Sequence, residues 1–119
     1  MTYRVGVIGC GRMAGTIDDE IDWTHPDFLL PYGHAGGYAA VAATELVAAA
    51  ETNAGRLASW CDRFGVTARY ADYREMIRRE SLDIVSVTTH ANGRAAPILF
   101  AAEAGVPGIY AEKALCVSA

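Results

Sequence analysis

Gly9, Gly11 and Ala14 stand in a G-x-G-x-x-A register directly after a short apolar run, Val5 to Ile8. The first glycine of such a turn lets the chain leave a strand sharply. The second has no Cβ, so a pyrophosphate can approach the backbone. The small third residue lets a helix pack close to the strand. A helix starting there aims unpaired N–H groups and its positive dipole end at phosphates. Tyr3 to Gly15 therefore predicts a buried strand, a dinucleotide-binding turn that includes Arg12 and Met13, and the first turn of a helix. Glu51 adds a second chemical group, at the end of the apolar run from Glu45. A carboxylate at such a strand end accepts hydrogen bonds from two ribose hydroxyls and repels a 2′-phosphate, which favours NAD over NADP. Arg12 and Arg56 could reverse that preference by pairing with a phosphate, so NADP stays open.

The elements that must hold these groups are legible in the remaining pattern. A helix is predicted over His34–Ala43, where Gly36 and Gly37 leave room for close packing against a sheet. The run Glu45–Glu51 is a second strand, and Asn53–Phe64 an amphipathic helix with Leu57, Trp60, Cys61 and Phe64 inward and Gly65 as its stop. A short strand, Arg69–Ala71, precedes a helix opened by a capping box of Asp72 and Glu75, with Tyr73, Met76 and Ile77 buried. A strand over Asp83–Thr89, the loop His90–Arg94, a helix over Ala95–Ala104 capped by Gly105, and a strand over Gly108–Lys113 complete the series. Pro97 is tolerable only in the first turn of its helix. This alternation predicts an α/β, Rossmann-type doubly wound parallel sheet of five strands in the order 3-2-1-4-5.

Glu51 lies farther from the glycines than the usual roughly 20 residues. The segment Ile17–Gly33, punctuated by Pro26, Pro31 and Gly33, accounts for the excess and reads as an insertion beside the turn. Its acids, Asp18, Asp19, Glu20 and Asp22, read as a solvated face.

Composition bounds the rest. With 119 residues, 52% hydrophobic and 20% charged, the chain reads as one globular domain. A net charge of −4 offers no basic footprint for nucleic acid or an anionic membrane. No apolar run approaches the roughly 18 residues of a spanning helix, and the N-terminus enters its strand without a leader. Cys10, Cys61 and Cys116 fit neither a disulfide framework nor a zinc site, which suggests a reducing cytoplasm and no metal.

With the glycine turn, Glu51, the TTHANGR loop at Thr88–Arg94 and the run Glu112-Lys113-Ala114 together, the chain resembles one family along nearly its whole length. It is similar to the N-terminal nucleotide-binding domain of the glucose-fructose oxidoreductase/inositol dehydrogenase/rhizopine-catabolism (Gfo/Idh/MocA) oxidoreductases. The resemblance implies hydride transfer between a nicotinamide cofactor and a sugar- or polyol-like CH–OH group. It places the cofactor on Gly9, Gly11, Arg12, Met13, Ala14 and Glu51, and extends the site to Thr88, Thr89, His90, Asn92, Glu112 and Lys113. Lys113 is then the catalytic residue, a cationic donor that stabilises a developing alkoxide or relays its proton.

Three departures accompany the resemblance. Ala114 stands where the family usually has proline, His90 where proline is common, and Arg94 where histidine is common. The resemblance also implies a second domain, with the substrate pocket and oligomer interface, that these 119 residues are expected to lack, and Ser118 resembles the N-cap of a following helix. The expectation is a truncated, catalytically incomplete domain of a cytoplasmic homo-oligomer. A reading of another class is a stand-alone dinucleotide-binding or interaction module without turnover.

Overall fold

The computed structural model describes residues 2–21, 24 and 31–118; Asp22 and Pro26 lie outside these. Five strands form one parallel sheet: β1 (Tyr3–Ile8), β2 (Thr44–Ala50), β3 (Ala68–Tyr70), β4 (Ile84–Val87) and β5 (Gly108–Ala111). Their order, β3-β2-β1-β4-β5, is the one expected. Two strands are shorter than their apolar patterns. β4 stops before Thr88 and β5 before Glu112. These residues leave the ladder at the C-terminal ends of the strands, where their side chains serve a site rather than a sheet.

The helices are α1 (His34–Ala40), α2 (Ala54–Phe64), α3 (Tyr73–Arg79) and α4 (Ala95–Glu103). Alternation along β1 divides the core. Val7 joins Ala35 of α1 and Trp60 and Cys61 of α2 on one face. Ile8 joins Met76 of α3 and Ala101 of α4 on the other. Val7, Ile8 and Met76 each contribute about 1.5–3 kcal/mol of transfer free energy on burial, so the two layers hold the strand ends in fixed relation.

Local chemistry sets the helix ends. The Asn53 side chain accepts from the Arg56 N–H at 2.9 Å and opens α2, and Gly65 closes it at φ 71°. Asp72 opens α3 by accepting from the Arg74 N–H at 2.9 Å. The expected capping box is only half made, because Glu75 pairs instead with Arg79 at 2.9 Å, one turn on.

The largest difference from expectation follows the glycine turn. No α-helix begins there. Residues 12–15 make one turn, with Ile17 N–H donating to Arg12 O at 2.9 Å. Gly15 then takes an extended φ of 178°, which breaks the helical ladder, and Thr16–Glu20 form a short 3-10 turn. The helix resumes at α1. His34 N–H donates to Met13 O at 3.0 Å and Ala35 N–H to Ala14 O at 2.8 Å, splicing α1 onto the interrupted turn. This splice needs two glycines in contact: a Cβ on Gly33 would lie 2.8 Å from Gly15 Cα.

Gly36 also differs from expectation. It makes room for Asp18 and Pro31, each 2.7 Å from its would-be Cβ, rather than for the sheet. The described acids of this segment are engaged. Asp18 accepts from the Tyr32 and Gly33 N–H groups at 2.7 and 2.9 Å, Asp19 pairs with Arg63, and Glu20 with Arg12 at 2.5 Å.

Candidate functional site

A cleft of about 720 Å³ runs along the C-terminal ends of β1, β2, β4 and β5. It crosses the point where strand order reverses between β1 and β4, the position at which open α/β sheets take ligands. Its floor is the glycine turn. Gly9 has φ 90°, and a Cβ there would meet Thr89 N at 2.9 Å, so the turn and the loop after β4 touch backbone to backbone. At Gly11 the reverse holds. Nothing lies within 4 Å of a would-be Cβ, and the backbone faces open cleft. That is the room a pyrophosphate requires.

Glu51 continues β2 into the cleft. Its Oε1 accepts from the Cys10 N–H at 3.1 Å, and its Oε2 from the Asn53 N–H at 2.9 Å. Arg56 lies 3.5 Å from Oε1. Burial pushes the carboxyl up, but these N–H groups, with Arg56 and the Thr52 hydroxyl, outweigh it and hold Glu51 below the usual carboxylate range. The group is a carboxylate at neutral pH, fixed beside the glycine turn.

The opposite wall comes from β4 and β5. Thr88, Thr89, His90, Asn92, Glu112 and Lys113 all line it. The two threonine hydroxyls are already used. Thr88 donates to Gly9 O at 2.6 Å, and Thr89 to Gly93 O at 3.0 Å. They shape the wall by fastening turn and loop. Lys113, the only lysine of the chain, is exposed at the rim.

Arg12, Met13, Gly9, Gly11 and Glu51 also line the cleft, so it gathers every expected site residue but one. Ala14 is the exception. It is fully buried in the core between the turn, α1 and α2, because its small side chain faces the packing side of the turn.

Two residues near the site escape local pattern. His34, fully enclosed, contacts Glu112 Oε1 at 2.8 Å through Nε2 and Ser86 Oγ at 3.0 Å through Nδ1. Its position directly after Gly33, where the chain rejoins the turn, is the one sequence clue. Arg94 lines the cleft and bonds to backbone carbonyls on two loops. Among the described residues no group of His, Cys, Asp or Glu side chains could hold a metal ion, and no helix is long and apolar enough to cross a membrane.

Comparison with known proteins agrees with this fold. A family profile described as an oxidoreductase family with an NAD-binding Rossmann fold matches residues 3–119. No curated protein matches the chain by sequence. Among solved structures, a probable dehydrogenase from Thermotoga maritima is 26% identical with a TM-score of 0.76, over 97% of this chain and 29% of that one. An oxidoreductase from Agrobacterium radiobacter, in complex with NAD+, L-tartaric acid and magnesium, is 24% identical with a TM-score of 0.77, over 99% and 29%. The scyllo-inositol dehydrogenase from Lactobacillus casei, with bound NAD(H) and scyllo-inositol, is 21% identical with a TM-score of 0.76, over 99% and 30%. The chain thus spans about 30% of the length of these neighbours, and the two below 25% identity share the fold alone.

Proposed function

Because the chain belongs to the Gfo/Idh/MocA oxidoreductase family, matching its NAD-binding Rossmann fold over residues 3–119, we propose that it is the part of an NAD-dependent dehydrogenase that holds and orients the dinucleotide. The observation that carries this reading is the pairing of an open Gly11 with a fixed Glu51 carboxylate on one cleft. The glycine turn would hold the pyrophosphate, with Arg12 and Met13 beside it. Glu51 would take the adenosine ribose hydroxyls, and its charge would disfavour a 2′-phosphate, so NAD is the cofactor rather than NADP.

Thr89, His90, Asn92 and Glu112 would border the nicotinamide end. When bound, the cofactor supplies the hydride chemistry, and the protein supplies orientation and electrostatics. As a cationic donor, Lys113 would stabilise the developing alkoxide of a sugar- or polyol-like carbinol or help relay its proton. We propose further that the segment Ile17–Gly33 is an insertion beside the glycine turn. The substrate-bearing domain would be supplied elsewhere in the complete enzyme, and the edge strand β5 would take part in homo-oligomer formation. The neighbours crystallised with L-tartaric acid and scyllo-inositol support a hydroxylated substrate.

Calorimetric titration of the chain with NAD and NADP tests the reading. Binding of NAD in preference to NADP is expected. Gly11→Val should abolish it without loss of fold, since the added side chain enters open cleft. Absence of binding by a folded chain would overturn the assignment of the cleft.

A further inference from the structure

Arg94 is the only arginine buried among the described residues, at 6% exposure. None of the ion pairs among those residues includes it. A buried guanidinium without a carboxylate must be satisfied by other acceptors. Here they are backbone carbonyls on two separate loops. Nε donates to Thr89 O at 3.1 Å and Nη2 to the same oxygen, while Nη1 donates to Ala114 O at 2.5 Å. One planar fork therefore joins the loop after β4 to the segment after β5, 20 residues apart in the chain.

The join falls where Lys113 needs it. On the N-terminal side of Lys113, the Glu112 N–H donates to Val87 O at 3.0 Å, and the Glu112 carboxylate contacts His34 at 2.8 Å. On its C-terminal side the chain leaves the sheet. Residues 113–118 are exposed and carry neither helix nor strand. Among the described residues, the only hydrogen bond from that side to the rest of the fold is the one from Arg94 to Ala114 O. The Lys113 side chain has no hydrogen bond or ion pair of its own among them, so its backbone decides where its ammonium can reach.

We propose that Arg94 is a positioning residue for Lys113: by bridging Thr89 O and Ala114 O it fixes the backbone from which the lysine enters the cleft. Arginine suits the task because its five N–H donors lie in one plane and can serve two carbonyls at once; a lysine ammonium at this depth could serve one. The inference rests on the reading above that Lys113 works at the nicotinamide end, but the bridge itself can be tested apart from that reading.

The test uses the 119-residue chain and the variants Arg94→Met and Arg94→Lys. Nitrogen-15 relaxation first reads the order of the Lys113 and Ala114 amides without ligand. Order parameters near those of the sheet, about 0.8, are expected in the parent chain and values below about 0.6 in Arg94→Met. The amides of β1 and β4 should be unchanged. Arg94→Lys keeps the charge but not the fork and should fall the same way; it decides the matter if Arg94→Met does not fold. Wild-type order at 113 and 114 in both variants, or in Arg94→Lys alone if only that one folds, would overturn the proposal.

A second readout concerns the lysine. In the parent chain and in Arg94→Met, reductive methylation with carbon-13 formaldehyde labels Lys113, the only lysine, and the α-amino group, and a Lys113→Arg control tells the two signals apart. Saturation with NAD should move the Lys113 signal in the parent chain and leave it unmoved in Arg94→Met. An undiminished shift in a folded variant would also overturn the proposal. NAD binding by the parent chain with no movement of Lys113 would instead count against Lys113 as the nicotinamide-end residue. The order parameters would then still decide whether Arg94 holds the segment.

Discussion

His34 Nε2 lies 2.8 Å from Glu112 Oε1, joining the first residue of α1 to the residue before Lys113. The other ring nitrogen is 3.0 Å from Ser86 Oγ on β4, which is 2.6 Å from the Tyr38 hydroxyl. The imidazole also stacks on Tyr110 of β5, with centroids 4.4 Å apart. The Glu112 carboxylate can only accept, so His34 Nε2–H donates to it, and the Ser86 hydroxyl bridges His34 Nδ1 and the Tyr38 hydroxyl, leaving no polar atom of the chain without a partner. Through it α1, β4 and β5 are held as one unit behind the cleft.

Removing the middle of that chain strands buried polar groups. His34→Leu should cost about 2–4 kcal/mol, because Ser86 and Glu112 both lose a partner. Tyr38→Phe, which removes one terminal donor, should cost about 1 kcal/mol. Urea unfolding of the three chains measures both. Equal midpoints would show that the network adds nothing to stability.

Glu51 makes stability depend on pH. Its folded carboxyl titrates below the ordinary 4.5 of the unfolded chain. Its stabilising contribution is therefore complete above that pH and is lost as pH falls through the lower, folded value. Glu51→Gln lacks this term. The stability difference between parent and variant should be largest at neutral pH and shrink on acidification below the ordinary value of 4.5. A difference that grows on acidification would contradict the assigned hydrogen bonds.

Two glycines near α1 should respond in opposite ways. Gly33→Ala places a Cβ 2.8 Å from the Gly15 backbone, which cannot yield as a side-chain tip can. It should destabilise by about 1–3 kcal/mol. Gly37 lies within α1 with nothing inside 4 Å. Gly37→Ala should stabilise by up to about 1 kcal/mol through helix propensity. Thermal unfolding with the same sign of change in both would refute the splice geometry.

Thiol reactivity reports the packing of the turn. Burial pushes the Cys10 thiol up to about 12, with Cys61 and Glu51 adding to the rise and Arg56 opposing it. Burial likewise raises Cys61, whereas Cys116 is exposed. An aromatic disulfide reagent at pH 8 should therefore modify only Cys116 in the native chain and all three cysteines in denaturant. Rapid native labelling of Cys10 would mean that the glycine turn opens.

β5 lies at the edge of the sheet with Tyr110 exposed. Gly108 and Glu112 donate their N–H groups to β4 at 2.9 and 3.0 Å, so by alternation Ile109 and Ala111 direct theirs outward. An unblocked edge of this kind invites pairing with a second copy. Sedimentation should show self-association by the parent chain, and Ala111→Pro should reduce it by removing one outward donor. A parent chain that stays monomeric at high concentration would remove the idea.

Much of this architecture was legible because it is written in local pattern. Strand order followed from alternating apolar runs and helical faces, and Asn53, Gly65 and Asp72 marked helix ends through side-chain and φ preferences that act within a few residues. The glycine turn and Glu51 were legible as a site because each carries its own steric or charge requirement. The helix interruption was not. Gly15, Gly33 and the bonds from His34 and Ala35 to Met13 and Ala14 connect residues about 20 positions apart, and no periodicity records that distance.

The sequence alone determined the fold family and marked the glycine turn and the acidic strand end at Glu51 as a candidate site, since these depend on residue size, backbone freedom and charge at fixed short spacing. Only the tertiary structure decided that the threonine hydroxyls are spent on backbone carbonyls, and that Arg94 and His34 stand behind Lys113 and Glu112. Those roles arise when the ends of β4 and β5 are brought side by side. The physical reason is that a long-range hydrogen bond depends on which strand ends become neighbours, a property of the assembled sheet and of no single stretch of chain.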